Sequence, residues 1–394
     1  MKICIAGKND IAVNILIYAL NYFEPNQICV VLNKSDISKN TWQKSLGFYA
    51  NLYKIEILEL SDVMKFNDLI FLSLEFDKIV EPKKFQTSRI FNIHFSLLPE
   101  YKGMYTSLLP ILHGKKFSGV SLHKIDRGID TGDIIDQKQI NIEGFTCEEL
   151  YLKYIEEGTE LLIKNFENLI SNKYNYFIQP SINSTYFSKK SFDFTNIEIN
   201  PYQTAYQISQ FVKATDFSVY QMPTFQGLEM YKSRITATKS TIKPGSVIIS
   251  NDEYIEIATI DFNVILYKDY FKKIIEYSQT NNFIKATEII DLIPDLEKMT
   301  KEGWNLLIIA CYNGSREMVK LLLNNNVNPR AKNLNGTTAL MYAKDSFLLT
   351  RDIEIIEMLL DKGARVDETD IYNKSIFDYL NDEELTNYLN GRNN

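Results

Sequence analysis

Across the first 75 positions, short runs of aliphatic and β-branched residues alternate with longer amphipathic stretches: Lys2–Ala6, Ile11–Tyr22, Gln27–Leu32, a polar helical stretch, Tyr53–Leu58 and Asp68–Leu74. Runs this short, separated by helical segments, predict strands joined by crossover helices, and so a parallel sheet with helices on its faces. Further on, Leu150, Ile155, Leu161, Leu162, Phe166 and Leu169 recur close to helical spacing, which predicts a helix over Cys147–Ile170. That helix closes a first α/β domain of Rossmann-like type, residues 1–180.

The texture changes between residues 181 and 268. Extended runs at Thr185–Phe187, Leu228–Ala237, Ser246–Ile249, Tyr254–Thr259 and Asn263–Tyr267 are separated by turn signals such as Lys243-Pro244-Gly245, with one helix near Ala205–Val212. This predicts a small β-rich domain. Residues 269–394 carry an internal repeat. Gly303-Trp304-Asn305-Leu306-Leu307 returns as Gly336-Thr337-Thr338-Ala339-Leu340, 33 residues later, whereas Glu317–Leu323 returns as Glu354–Leu360, 37 later. A four-residue insertion around Asp345–Asp352 accounts for the difference, and Asn373–Phe377 follows Gly336 by the longer step. A turn and two short helices repeating near 33 residues resembles ankyrin, whose units bury their apolar faces only by stacking. Tyr270–Leu296 is suited to an opening cap and Ile376–Leu389 to a closing one.

At 394 residues with 45% hydrophobic and 24% charged positions, the chain has the balance of a globular protein of two or three domains. The net charge of −7 disfavours a protein that must neutralise many nucleic-acid phosphates. Cys4, Cys29, Cys147 and Cys311 are scattered, without a C-x-x-C pair or a neighbouring histidine, so no metal site and no disulfide framework is expected. The apolar stretch Ile11–Leu20 is interrupted by Asn14 and follows a polar turn, unlike a signal peptide or membrane span, and a cytoplasmic protein is expected. The turn Ala6-Gly7-Lys8-Asn9-Asp10 lacks the three glycines that admit a dinucleotide pyrophosphate and the Gly-Lys-Ser/Thr of a nucleoside-triphosphate loop. The sheet therefore serves other chemistry.

The chain has three histidines, His94, His113 and His123. Asn92 and His94 are two apart on an extended segment and share a face, which pairs an amide donor with a titratable imidazole. The loop Gly128-Ile129-Asp130-Thr131-Gly132-Asp133 carries a carboxylate that can return to the same sheet end. Amide, imidazole and carboxylate at one crevice make an acyl-transfer site, with the amide on the oxyanion and the imidazole moving the proton. The order Asn92-Ile93-His94, Ser96-Leu97-Leu98-Pro99, Tyr101-Lys102-Gly103, Gly119-Val120-Ser121-Leu122-His123, Asp130-Thr131-Gly132-Asp133, with 38 residues from Asn92 to Asp130, resembles the formyltransferases that use 10-formyltetrahydrofolate. The resemblance covers Met1 to about Ile170. Lys243–Val247 and the following extended pairs resemble the start of that family's small C-terminal β domain, an OB-like fold. Where the family more often has arginine after the proline, this chain has Glu100.

The resemblance implies Asn92, His94 and Asp130 as the catalytic trio: His94 the general base, Asn92 the oxyanion donor and Asp130 the group that orients His94. It also implies 10-formyltetrahydrofolate as co-substrate, its pterin near Leu72, Ser73, Leu74 and Asp133. Tyr101–Tyr105 and Phe76–Ile79 resemble the sugar N-formyltransferases, which formylate a nucleotide-linked, often dTDP-linked, amino sugar for surface polysaccharide such as O-antigen. Lys78 is then a candidate for the diphosphate, and Met104, Tyr105, Tyr220, Met222 and Phe225 for the sugar nucleotide and its base. His113 and His123 read as structural. Trp304, beside a repeat turn, either packs on the cap or offers a stacking platform for a second nucleotide sugar or an anchor for a protein partner. A sheet edge of the β domain offers a route to a homodimer. Two alternatives stand beside this reading: a methionyl-tRNA formyltransferase, and a non-catalytic ankyrin interaction protein.

Overall fold

The computed structural model describes residues 1–392, which divide into two compact units: 1–39 with 44–268, and 40–43 with 269–392. In the first unit the apolar runs become β1 (Lys2–Gly7), β2 (Ile28–Leu32), β3 (Glu56–Ile57), β4 (Leu69–Leu74) and β5 (Ile90–His94), all parallel. After the two-residue β6 (Lys102–Gly103), β7 (Phe117–Lys124) and β8 (Ile134–Asn141) extend the same sheet in antiparallel fashion. The order is β3-β2-β1-β4-β5-β7-β8. Ile3–Ala6 and Leu69–Leu74 are buried along their length because helices cover both faces, which is why these strands read as unbroken apolar runs.

Helices α1 (Asn9–Ala19), α2 (Leu46–Leu52), α3 (Leu60–Val63), α4 (Leu109–Leu112) and α5 (Cys147–Ile170) accompany the sheet, and α1 packs on α5. Helix α1 begins two residues before the apolar run because Asn9 and Asp10 fill its first turn. Helix α5 has the expected bounds. Thr146 accepts from the Glu149 N–H while the Glu149 side chain returns to the Thr146 N–H, a reciprocal cap. It buries Leu150, Tyr154, Leu162 and Phe166.

The chain leaves β1 toward β2 on one side and leaves β4 toward β5 on the other, so the crevice where such sheets bind ligands opens at the carboxyl ends of β1 and β4. Gly7 permits their close approach: a Cβ there would sit 1.8 Å from the Leu74 carbonyl oxygen. One expected element moves. Tyr186–Phe187, read as the first extended run of the β-rich segment, forms β9 and pairs with β6.

Helix α6 (Ala205–Thr215) then precedes β10 (Thr224–Phe225), β11 (Leu228–Lys239), β12 (Val247–Ser250), β13 (Tyr254–Ile257) and β14 (Phe262–Lys268). They form an antiparallel sheet ordered β10-β11-β14-β13-β12. Its core joins Ile208 and Val212 of α6 to Met230, Ile255, Val264 and Leu266.

The second unit is helical: α7 (Phe271–Thr280), α8 (Phe283–Ile289), α9 (Leu306–Tyr312), α10 (Arg316–Asn324), α11 (Ala339–Thr350), α12 (Glu354–Asp361) and α13 (Glu383–Arg392). Equivalent caps start α9 and α11, where Asn305 and Thr338 each accept an N–H three residues on. The four extra residues of the second repeat lengthen α11 to Thr350, and Arg351 closes it in the left-handed region.

Candidate active site

Strand β5 delivers Asn92 and His94 to the carboxyl end of the sheet, and β7, antiparallel beside it, sets His123 opposite Asn92. The loop from β7 to β8 returns Asp130 to the same place. Asp130 has φ +55°, in the left-handed region, and Gly132 is required nearby because a Cβ would lie 1.9 Å from the Lys124 carbonyl oxygen. Thr131 Oγ1 and the Gly128 N–H both donate to Asp126 Oδ1, folding the loop on itself.

The structure thus brings Asn92, His94 and Asp130 together. His94, buried, donates from Nε2 to the Tyr101 carbonyl at 2.8 Å. A carbonyl only accepts, so Nε2 carries a proton and the neutral ring's basic lone pair is on Nδ1, which faces Asp130 Oδ2 at 3.4 Å. The backbone of Tyr101 therefore fixes the tautomer, and Asp130 is placed to stabilise the ring once Nδ1 gains a proton.

His123 was missed. Its Nδ1–H donates to the Lys124 carbonyl at 2.7 Å, leaving Nε2 to accept from Asn92 Nδ2 at 3.0 Å. Nε2 also lies 3.7 Å from Asp130 Oδ1. This acceptor orients the Asn92 carboxamide with its nitrogen toward the cluster, and the second N–H has no protein partner among the described residues. His113, by contrast, bonds the Tyr101 hydroxyl at 3.1 Å. Burial opposes ionisation of Asp130, but His94, His123 and the Gly103 N–H, 2.8 Å from Oδ2, outweigh it and hold the carboxyl well below the usual carboxylate range.

A second carboxyl lies one position past the end of β4. Glu75 receives the Tyr151 hydroxyl at 2.9 Å and the Asn9 amide at 3.4 Å. Burial pushes its pKa up to about 7 against the pull of Lys8, Tyr151 and Asn9. The folded chain therefore holds a proton that the unfolded chain releases at lower pH, and stability is lost as pH rises through about 7. E75Q, which cannot ionise, is expected to be more stable than the parent at pH 8 by up to about 3 kcal/mol, with the difference gone near pH 4. Urea unfolding at the two pH values measures it.

The remaining expected residues fall into two groups. Lys78 lies 3.8 Å from Glu59 and over the Phe76 ring, Met104 is exposed, and Tyr105 donates to the Lys189 carbonyl at 2.9 Å. Tyr220 is exposed with its ring against Phe217, and Asp133 pairs with Lys124 at 3.6 Å. The second group is corrected. Leu72 and Ser73 are buried between β1 and β5, and Leu74 is buried with its carbonyl taken by the Lys8 N–H, so accessible backbone begins only beyond the strand end. Met222 is buried and Phe225 belongs to the core of the antiparallel sheet, so neither offers a ring or thioether to a ligand. In the helical unit Trp304 is half-buried, its ring 5.1 Å from Tyr312 and 4.9 Å from Tyr342.

The formyl transferase family model matches residues 67–166, and the model for ankyrin repeats in three copies matches 277–370. The crystal structure of an N-formyltransferase from Helicobacter canadensis, in complex with folinic acid and dTDP-3-aminofucose, is 42% identical and covers 68% of this chain and 100% of its own, with a TM-score of 0.63. The chain belongs to the sugar N-formyltransferase family. WlaRD, a sugar 3N-formyl transferase solved in the presence of dTDP and 5-N-formyl-THF, matches at 42% identity over 68% of this chain and 97% of its own, with a TM-score of 0.64. The methionyl-tRNA formyltransferase of Clostridium tetani is 31% identical over 183 residues, 46% of this chain and 58% of that enzyme's length. Family membership and the repeats thus reside in separate parts of one polypeptide.

Proposed function

We propose that the chain transfers the formyl group of 10-formyltetrahydrofolate to the amino group of a dTDP-linked amino sugar. The observation that carries this reading is the meeting of Asn92, His94 and Asp130 at the carboxyl end of β5, with an amide N–H and a basic ring nitrogen both available. Ile79 and Ile129 are exposed on the loops that follow β4 and precede Asp130, and offer apolar faces suited to a planar reduced pterin. The donor supplies an electrophilic formyl carbon.

As the amine nitrogen bonds that carbon, the carbonyl electron pair moves onto oxygen, where the second Asn92 N–H donates to it. His94 Nδ1 takes the proton that the attacking nitrogen sheds, and the carboxylate of Asp130 stabilises the resulting imidazolium. When the bond to the donor nitrogen breaks, His94 returns the proton to that leaving nitrogen, so the products are a formamide and tetrahydrofolate. His123 holds Asn92 in register throughout. Lys78, Met104, Tyr105 and Tyr220 remain the side chains assigned to the sugar nucleotide. A reduced folate and a nucleotide sugar are both metabolites of the cytoplasm, where we assign the reaction, and its product suits assembly of a surface polysaccharide. Pairing of two copies through an edge of the antiparallel sheet belongs to the same proposal.

The test offers the protein 10-formyltetrahydrofolate with 3-amino and 4-amino dTDP and UDP sugars, and in parallel with methionyl-tRNA, and follows products by mass spectrometry. A formylated dTDP sugar is expected. Formylation of the tRNA alone would overturn the reading, and the net charge of −7 speaks against it. At the repeats, the Trp304, Tyr312 and Tyr342 cluster suits a second nucleotide sugar, or the side chain of a protein partner. Calorimetric titration with the nucleotide sugar is expected to lose one binding event in W304A, and unchanged stoichiometry and heat would dismiss a ligand there.

A further inference from the structure

The stretch after α5 runs back along the start of β8. Phe177 and Ile134 exchange both backbone hydrogen bonds at 2.9 Å, an antiparallel bridge that carries Gln179 to the loop holding Asp130. There Gln179 Nε2 donates to two carbonyls of that loop, Asp130 at 2.9 Å and Gly132 at 2.7 Å. The other end of the same amide is different: Oε1 is buried and has no hydrogen-bond partner. A buried acceptor left unpaired works against folding. A leucine of similar volume would remove that orphaned acceptor along with the two donated bonds, so the gain and the loss nearly offset and stability alone does not explain a glutamine here.

What the amide does achieve is geometric. Asp130 holds a left-handed backbone conformation unusual for a residue with a side chain, and its carboxylate reaches His94, His123 and the Gly103 N–H only while that conformation lasts. Its carbonyl and that of Gly132 flank the turn, and one planar amide with two fixed donors sets the spacing between them. We infer that Gln179 is a positioning residue for formyl transfer, a clamp on the Asp130 and Gly132 carbonyls that aims the Asp130 carboxylate at His94. This rests on the reaction proposed above and adds to it a residue outside the Asn92, His94 and Asp130 trio, 49 positions along the chain from Asp130.

The test is Q179L beside Q179E. Leucine removes two hydrogen bonds and one orphaned acceptor together, so the melting temperature is expected to stay within about 3 °C of the parent. Glutamate keeps the shape but opposes carbonyls with a carboxylate. Both are expected to lower kcat by about 10–100-fold, the scale of a misplaced catalytic group, while KM for the amino sugar stays within about twofold. Independently of turnover, amide hydrogen exchange across residues 128–133 is expected to accelerate by about tenfold or more in both variants. A kcat within about twofold of the parent, or loop exchange at the parental rate, would overturn the clamp, as would losses that track a fall in melting temperature. Failure of the underlying reaction is separable: the parent protein would then transfer no formyl group, while the exchange measurement still decides the clamp.

Discussion

H94Q is expected to lower kcat for formyl transfer by about three to four orders of magnitude, the upper range for loss of a positioned general base. Glutamine is chosen because its amide N–H can still reach the Tyr101 carbonyl that His94 Nε2 now engages at 2.8 Å, so the segment leading into β6 keeps its tie to β5. Nothing on the amide replaces the lone pair of Nδ1. The amine therefore attacks and falls back, because its proton has no acceptor within reach. KM for the amino sugar should change little, since His94 contributes to the transition state rather than to ground-state binding. Single-turnover rates with saturating donor measure this directly. Activity within about tenfold of the parent would remove His94 from the chemistry.

D130N is expected to lower kcat by about two to three orders of magnitude, for a different reason. The carboxylate lies 3.4 Å from His94 Nδ1 and 3.7 Å from His123 Nε2, and its charge is what makes a protonated imidazole comfortable at a buried position. The amide is the same size and keeps an acceptor for the Gly103 N–H, but it has no charge to offer. Because His94, His123 and Gly103 hold Asp130 ionised well below the usual carboxylate range, acidification toward about pH 5 does not protonate it. Single-turnover rates with saturating donor at about pH 8 measure the loss, and activity within about tenfold of the parent would remove the Asp130 charge from the chemistry.

The parts of the molecule that were legible in advance are those whose signal is local. Buried parallel strands such as β1 and β4 must be apolar on both faces, so each reads as an unbroken run. Helix α5 carries both its period and its cap in consecutive residues, and the insertion that lengthens α11 appears as a change of repeat from 33 to 37. Asn92 and His94 share a face because they are two apart on one strand. His123 joins them only through the antiparallel register of β7 on β5, which no single run announces. The same holds for Gln179, and for the pairing of β9 with β6: Thr185–Phe187 reads as extended, but nothing in the run names its partner, and the two residues of β6 are too few to carry a period. Phe225 shows the converse: an aromatic in a strand reads alike whether it faces a ligand or, as here, the core.

The measurement that bears most directly on the account is a crystal structure of the protein with a stable analogue of 10-formyltetrahydrofolate and a dTDP-linked amino sugar bound together. The account predicts the amine nitrogen about 3–3.5 Å from the formyl carbon, with the formyl oxygen toward Asn92 Nδ2 and the amine toward His94 Nδ1. Both ligands well ordered, with the formyl carbon more than about 6 Å from those two side chains, would contradict it.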